Sequence, residues 1–217
     1  MREEFQADLT EVSRLLVTMA ESVRAAMRKA TTSLLKADRE AAIAVVERDA
    51  EVDDIYRQVE TKVADTIARQ APVASDLRMV ITALHISADL ERMGDLAEHV
   101  AKTAKRRHPS PAVPAELRGV FQSMAEVADQ MAETITSLLA SPDATLAGKL
   151  EGEDDAMDDL ERELFKILLA DEWPYGAETA IDGALLGRFY ERYADHAVNI
   201  GEHLVYLITG EPVGGRL

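Results

Sequence analysis

The chain has 217 residues, with 24 Lys or Arg against 40 Asp or Glu for a formal net charge of −16, and no cysteine. That balance excludes a sequence-independent grip on the phosphate backbone of nucleic acid. The missing cysteines exclude disulfides and thiolate metal sites, which leaves any metal to oxygen or imidazole ligands.

Abundant Ala, 5% aromatic residues and scarce β-branched runs favour long helices, and no segment reads as a strand. Helix one is expected from Phe5 to Ala37, since Leu9, Val12, Leu16, Met19, Val23, Met27, Ala30 and Leu34 recur at three- and four-residue steps. Asp38 caps a second helix over Arg39–Arg69, which Pro72 ends. Ser75 or Asp76 caps a third that runs to Arg107. His108-Pro-Ser-Pro-Ala-Val-Pro114 is the one proline cluster and marks a boundary between domains at 1–108 and 109–217. Helices four to six are expected at Ala115–Ala140, Asp143–Asp171 and Ala177–Thr209, and Gly-Gly-Arg-Leu at the end of the chain reads as frayed. The opening Met1-Arg2-Glu3-Glu4 lacks the apolar stretch of a signal peptide, and no run of eighteen apolar residues exists, so a cytoplasmic protein is expected.

The two halves repeat. LERMGDLAEHV at 90–100 and YERYADHAVNI at 190–200 place Glu-Arg-x-x-Asp in register 100 positions apart (191 minus 91). TSLL at 32–35 recurs at 136–139, Asp49 and Asp53 recur as Asp154 and Asp158, and Pro72 recurs as Pro174. A period near half the chain means two similar domains and not a solenoid. The expected fold is all-α: two tandem antiparallel three-helix bundles related by internal duplication.

The repeat carries paired carboxylates. Glu91 and Asp95 lie about 40° apart around their helix, with Glu98 about 20° to the other side. This acidic strip borders a stripe of Ala83, Ser87, Leu90, Gly94, Ala97 and Ala101, matched in the second copy by Tyr190, Ala194, Ala197 and Gly201 beside Glu191 and Asp195. Asp49/Asp53 and Asp154/Asp158 are further i,i+4 pairs on the preceding helices. Like charges at that spacing destabilise a helix by roughly 0.2–0.5 kcal/mol per pair. Two readings offset that cost: a multivalent cation held by oxygen ligands from facing helices, or solvated faces neutralised by Arg48, Arg92, Lys102 and Arg192. None of His85, His99, His108, His196 or His203 has a Glu three residues before it, which disfavours a redox di-iron bundle. No phosphate-binding glycine loop, nucleophile elbow or HExxH motif is present, so no catalytic residue is assigned. The methionines read as core filler, and Trp173 as packing for the turn before helix six.

QAPVASDLR at 70–78, DLERMGDLAEHVAK at 89–102 and YERYADHAVNIGEHLVYLITGE at 190–211 resemble the PhoU family, regulators associated with bacterial phosphate-specific transport. The resemblance implies a non-enzymatic regulator of phosphate homeostasis, a dimer of tandem three-helix bundles. It implies repression of phosphate-starvation genes and restraint of phosphate uptake, by linking the ATPase subunit of a phosphate transporter to a sensor histidine kinase. Membrane association would then come only through partners. It also implies multinuclear metal sites, one at Asp49, Asp53, Glu91 and Asp95, the other at Asp154, Asp158, Glu191, Asp195 and Asn199. His99 stands where the family often has Asn. The ions are divalent or trivalent, and oxygen ligands suit magnesium, manganese, calcium, iron or zinc. Two alternatives remain open: a paralogue serving another phosphate transporter, and a carboxylate-bridged metalloenzyme.

Overall fold

The computed structural model describes residues 2–211; the expected frayed Gly-Gly-Arg-Leu lies outside them. Seven helices and no strand are present among the described residues: α1 Arg2–Lys36, α2 Arg39–Gln70, α3 Ser75–Arg107, α4 Ala115–Ala140, α5 Ala144–Ala147, α6 Lys149–Leu168 and α7 Gly176–Thr209. None is long and apolar enough to cross a membrane.

Helix α1 follows the apolar repeat. Met19, Val23, Met27, Ala30 and Leu34 are completely or almost completely buried, while Glu21, Ala25, Arg28 and Lys29 between them face solvent. The chain reverses at Ala37, and Asp38 starts α2 by accepting the Ala41 amide at 3.0 Å. Helix α2 therefore runs antiparallel to α1, as the ion pairs of Asp8, near the start of α1, with Lys62 and Arg69, near the end of α2, require. A left-handed Ala71 closes α2 one residue before Pro72. Ser75 and Asp76 do not cap α3. The cap position is Ala74, at φ 51°, and makes no side-chain cap bond; Asp76 lies in the first turn, where its charge suits the helix dipole.

The expected fifth helix is broken into two. Asp143 accepts the Thr145 and Leu146 amides and winds a single turn, α5, which Gly148 ends by donating back to Ala144. Glycine is the weakest helix former short of proline, and the break lets Leu150 seat against Gly201 of α7. A Cβ on Gly201 would stand 2.6 Å from Leu150 Cδ1, so glycine there lets Leu150 lie directly against α7, and any side chain would push the leucine aside. The helix also stops at Leu168, three residues short of Asp171, because the Leu169, Ala170 and Trp173 amides turn back onto Phe165, Ile167 and Ala170. The Trp173 indole then donates to the Gly176 carbonyl at 3.0 Å, tying the turn into α7.

Helices α1, α2 and α3 form one bundle and α4, α6 and α7 the other. They join through α1 against α4 and α3 against α7. Each helix-packing contact between the halves thus pairs an element with its own counterpart in the repeat, as an approximate two-fold axis between the copies requires. One continuous apolar core runs through both bundles. It includes Met19, Met93, Met124, Met131 and Met157. Thr31 of α1 and Tyr190 of α7 share a buried hydroxyl bond of 2.6 Å across the halves, and Arg24 makes a two-pronged bond to Asp129 of α4.

Candidate functional site

The small-residue stripes let the carboxylate-bearing helices approach closely. Ala83, Ser87, Leu90, Gly94, Ala97 and Ala101 are all buried, as are Tyr190, Ala194, Ala197 and Gly201. A Cβ on Gly94 would meet Val52 Cγ1 at 3.3 Å and Asp49 Oδ1 at 3.8 Å, so α3 presses directly on the α2 face that carries Asp49 and Asp53.

The first cluster forms between α2 and α3. Burial pushes the Asp49 carboxyl up to about 6, helped by the neighbouring charges of Glu98, Asp53 and Asp95 and opposed by Lys102. Burial likewise raises Glu91, with Asp95 and Asp53 acting in the same direction and Arg92 against it. All four expected residues are thus brought together, and Glu98, buried and ion-paired with Lys102, joins them. Arg92 reaches Asp95 at 3.0 Å and Glu91 at 3.4 Å. Arg48 turns away to Glu51, so it does not neutralise Asp49.

The second cluster forms between α6 and α7. Burial raises Asp154 to about 6, and every charge that acts on it, from Asp195, Asp158 and Asp155, acts in the same direction. Glu191 is raised by burial and by Asp195, with Arg188 opposing, and Glu161 adds a further acid. The cation beside Glu191 is Arg188, one turn earlier, and not Arg192. Glu191 Oε2 is buried and without a hydrogen-bond partner. Asn199 is exposed and borders the same hollow as Asp154 and Asp195, whereas its counterpart His99 leans on Phe189 with ring centroids 5.3 Å apart.

The side chains as they stand hold no group of three or more His, Asp or Glu residues arranged around a single ion, among the described residues. The donor chemistry nevertheless fits a hard cation. Oxygen ligands predominate, the carboxylates raise one another's pKa, and a buried Glu191 oxygen lacks a partner. A bound cation would favour the ionised forms that crowding disfavours.

Sequence reasoning passed over the acid and histidines between the clusters. Asp89 of α3 bonds His196 Nδ1 of α7 at 2.8 Å and lies 3.7 Å from His203 Nε2. His203 in turn stacks on His85, with centroids 5.0 Å apart. The repeat gave no signal for these residues, since their counterparts are Phe189, Leu96, Thr103 and Leu185. At the far end of α3, Arg106 and Arg107 both bind Asp182 of α7, which is 4% exposed.

The PhoU domain family model matches twice, over residues 16–104 and 121–204. Over 210 residues the chain is 41% identical to phosphate-specific transport system accessory protein PhoU homolog 2 of Mycobacterium bovis, covering 97% of this chain and 99% of that protein. Identity to PhoU homolog 1 of Mycobacterium tuberculosis is 40%, over 97% and 95%. The crystal structure of PhoU from Pseudomonas aeruginosa superposes with a TM-score of 0.85 at 28% identity, covering 95% of this chain and all of that one. The phosphate transport system regulatory protein PhoU of Streptococcus pneumoniae gives 0.86 at 26%, over 96% and 99%. With both bundles matched by the domain model and nearly the whole length shared with such relatives, the chain belongs to the PhoU family.

Proposed function

We propose that this protein is a non-enzymatic regulator of phosphate homeostasis. It works in the cytoplasm, restrains phosphate uptake and represses phosphate-starvation genes by linking the ATPase subunit of a phosphate transporter to a sensor histidine kinase. It reaches the membrane only through those partners and functions as a dimer. The observation that carries the reading is the near-complete alignment with proteins named as phosphate-transport accessory proteins, in a chain that keeps both copies of the carboxylate-bearing bundle.

The carboxylate clusters are the candidate metal centres, with Asp49, Asp53, Glu91 and Asp95 holding one and Asp154, Asp158, Glu191, Asp195 and Asn199 the other. A bound ion there supplies positive charge that relieves the repulsion among the acids and ties α2 to α3 and α6 to α7. Oxygen donors favour magnesium, manganese or iron over a soft-ligand metal such as copper(I), while zinc is accommodated less selectively. The resulting change in bundle rigidity is what partners read as a difference between two states.

Secreted alkaline phosphatase, measured as a report of starvation genes in a deletion strain with ample phosphate, tests the role. High activity that the intact gene returns to low supports it, and low activity in the deletion strain counts against it. Nearly equal identity to two homologs of one genus, 41% and 40%, favours a second reading. In that reading the chain is a paralogue serving another phosphate transporter, and deleting both genes is then needed to release the starvation response.

A further inference from the structure

The seam between α3 and α7 is closed at one end and open at the other. At the closed end Arg106 and Arg107 bind the buried Asp182. At the open end lies a groove of about 1020 Å3 that runs from Ala74 to Asp89 on α3 and from Asp195 to Tyr206 on α7. Fifteen residue steps along α3 span roughly 22 Å, the length of about four helical turns.

The groove's chemistry is mixed in an ordered way. Leu77 and Ile81, each 39% exposed, form an apolar wall one helical turn apart on α3, and Val198 of α7 lines the groove nearer Asp89. Asp154, Asp195 and Glu202 line the same groove, together with Asp89, which His196 and His203 already hold. The one arginine in the lining, Arg78, is held over the ring of Tyr206, 5.2 Å from its centroid. The repeat explains why the two ends differ. Asp89 replaces the counterpart of Phe189, Glu202 that of Lys102, and Tyr206 that of Arg106. One end therefore supplies its own cations, and the other presents acids in the same groove as an apolar wall.

We propose that the open groove is the docking site for an amphipathic α-helix of a partner protein, apolar on one side and flanked by Lys or Arg. This rests on the adaptor reading above and names the kind of segment the adaptor receives. The apolar wall at one-turn spacing matches the i, i+3/i+4 face of a docked helix, and the acids of the groove select its flanking charges. A second copy of this chain is the weaker occupant. Its own basic end carries exposed Ile181 and Leu185, but Arg106 and Arg107 are bound to Asp182 and Lys102 to Glu98, which leaves Lys105 as the cation in the last turn of α3 that has no ion pair among the described residues.

The groove shares Asp154 and Asp195 with the second carboxylate cluster. A cation in that cluster and a basic helix in the groove therefore compete for the same oxygens, and by linkage each weakens the other.

The probe is a fluorescein-labelled Leu/Lys/Ala amphipathic peptide of about 18 residues, with a Glu-for-Lys isomer as control. Binding to the intact chain is followed by anisotropy at near-physiological salt. The expected result is micromolar binding of the Lys peptide, at least tenfold weaker for Leu77→Glu/Ile81→Glu and also weakened for Glu202→Lys. The double variant is more acidic than the native chain, so attraction by general negative charge alone would strengthen binding there and not weaken it. Equal or tighter binding to the double variant, or equal binding of the Glu isomer, overturns the proposal. Sedimentation of the same variants is the third arm: conversion of a dimer to monomer by Leu77→Glu/Ile81→Glu makes the groove an interface between copies and also overturns it. The regulatory role is read separately in cells by alkaline phosphatase, so peptide binding together with low activity in the deletion strain removes that role while leaving the groove intact.

Discussion

The two carboxylate clusters stand at equivalent places in the repeat, yet the protein neutralises them differently. Around the first, Arg92 reaches two of the acids and Lys102 holds Glu98. Around the second, only Arg188 pairs with Glu191; Asp154, Asp158 and Asp195 have no cationic side chain within 4.0 Å among the described residues. The ends of the α3–α7 seam repeat the contrast, one closed by two arginines on Asp182 and the other left acidic. Duplication thus conserved the placement of the acids, while divergence of the surrounding residues decided how much charge remains for something else to balance.

The sharpest break in that comparison is at the seam. Asp182→Ala takes from Arg107, whose Nη2 is buried and already unpartnered, its buried carboxylate and leaves it only the exposed Glu178. Losing one partner of a partly buried charge pair costs about 2 kcal/mol, which for a chain of this size lowers Tm by roughly 4–8 °C. Asp89→Ala at the open end is expected to cost less than half as much. Equal losses in thermal denaturation would mean the ends are energetically alike.

Next in size is the response to cations. Adding manganese to metal-free protein is expected to raise Tm, and Asp154→Asn with Asp195→Asn to weaken that response about tenfold in metal concentration. Asp95→Asn is expected to weaken it less, because the first cluster is already partly neutralised. Affinity for the second cluster should also climb as pH rises through about 6, where Asp154 loses its proton. A titration calorimetry series from acid to neutral pH measures this, and a flat profile would contradict metal binding through Asp154.

Without metal the same residue has the opposite sign. The Asp154 carboxyl is raised in the folded state to about 6, so the fold holds its proton more tightly than the unfolded chain does. The contribution of Asp154 to stability is therefore greatest at low pH and is lost as pH rises from the ordinary carboxylate range through 6. Asp154→Asn should stabilise the metal-free protein at neutral pH by about 1 kcal/mol after discounting for solvent screening, or roughly 2–4 °C. The gain should shrink on acidification and disappear below the ordinary carboxylate range. A pH-independent gain in scanning calorimetry would point to packing and not charge.

The smallest expected effect concerns the position that differs most plainly between copies. His99 is exposed and leans on Phe189, while Asn199 borders the groove. His99→Asn should change stability by about 0.5 kcal/mol or less and leave metal affinity within twofold. A larger change in affinity would make His99 a ligand.

Much of this architecture was legible along the chain because helices expose their periodicity. The step pattern from Leu9 to Leu34 fixed the inward face of α1, and Asp38 and Pro72 bracketed α2 where they were expected to. The break at Gly148 was not legible, since one glycine in a helical pattern is often tolerated; it matters here because Leu150 must seat beneath Gly201. The carboxylate pairs were visible as i,i+4 spacings; of the four expected neutralising partners, Arg92 and Lys102 reach the acids, whereas Arg48 turns to Glu51 and Arg188 takes the place expected for Arg192. Arg48 and Arg192 are as near in sequence as Arg92 and Arg188, and only packing shows which of them turn toward the acids.

The chain by itself determined an all-helical fold, its duplication and the helix faces on which acids and small residues sit, because these depend on local periodicity and turn chemistry. Tertiary structure decided which acids share a cluster, that His196 and His203 flank Asp89, and that one end of the α3–α7 seam is closed while the other is open. Those outcomes arise from residues far apart in the chain meeting across antiparallel helices, where the contribution of a charge depends on the neighbour that packing places beside it.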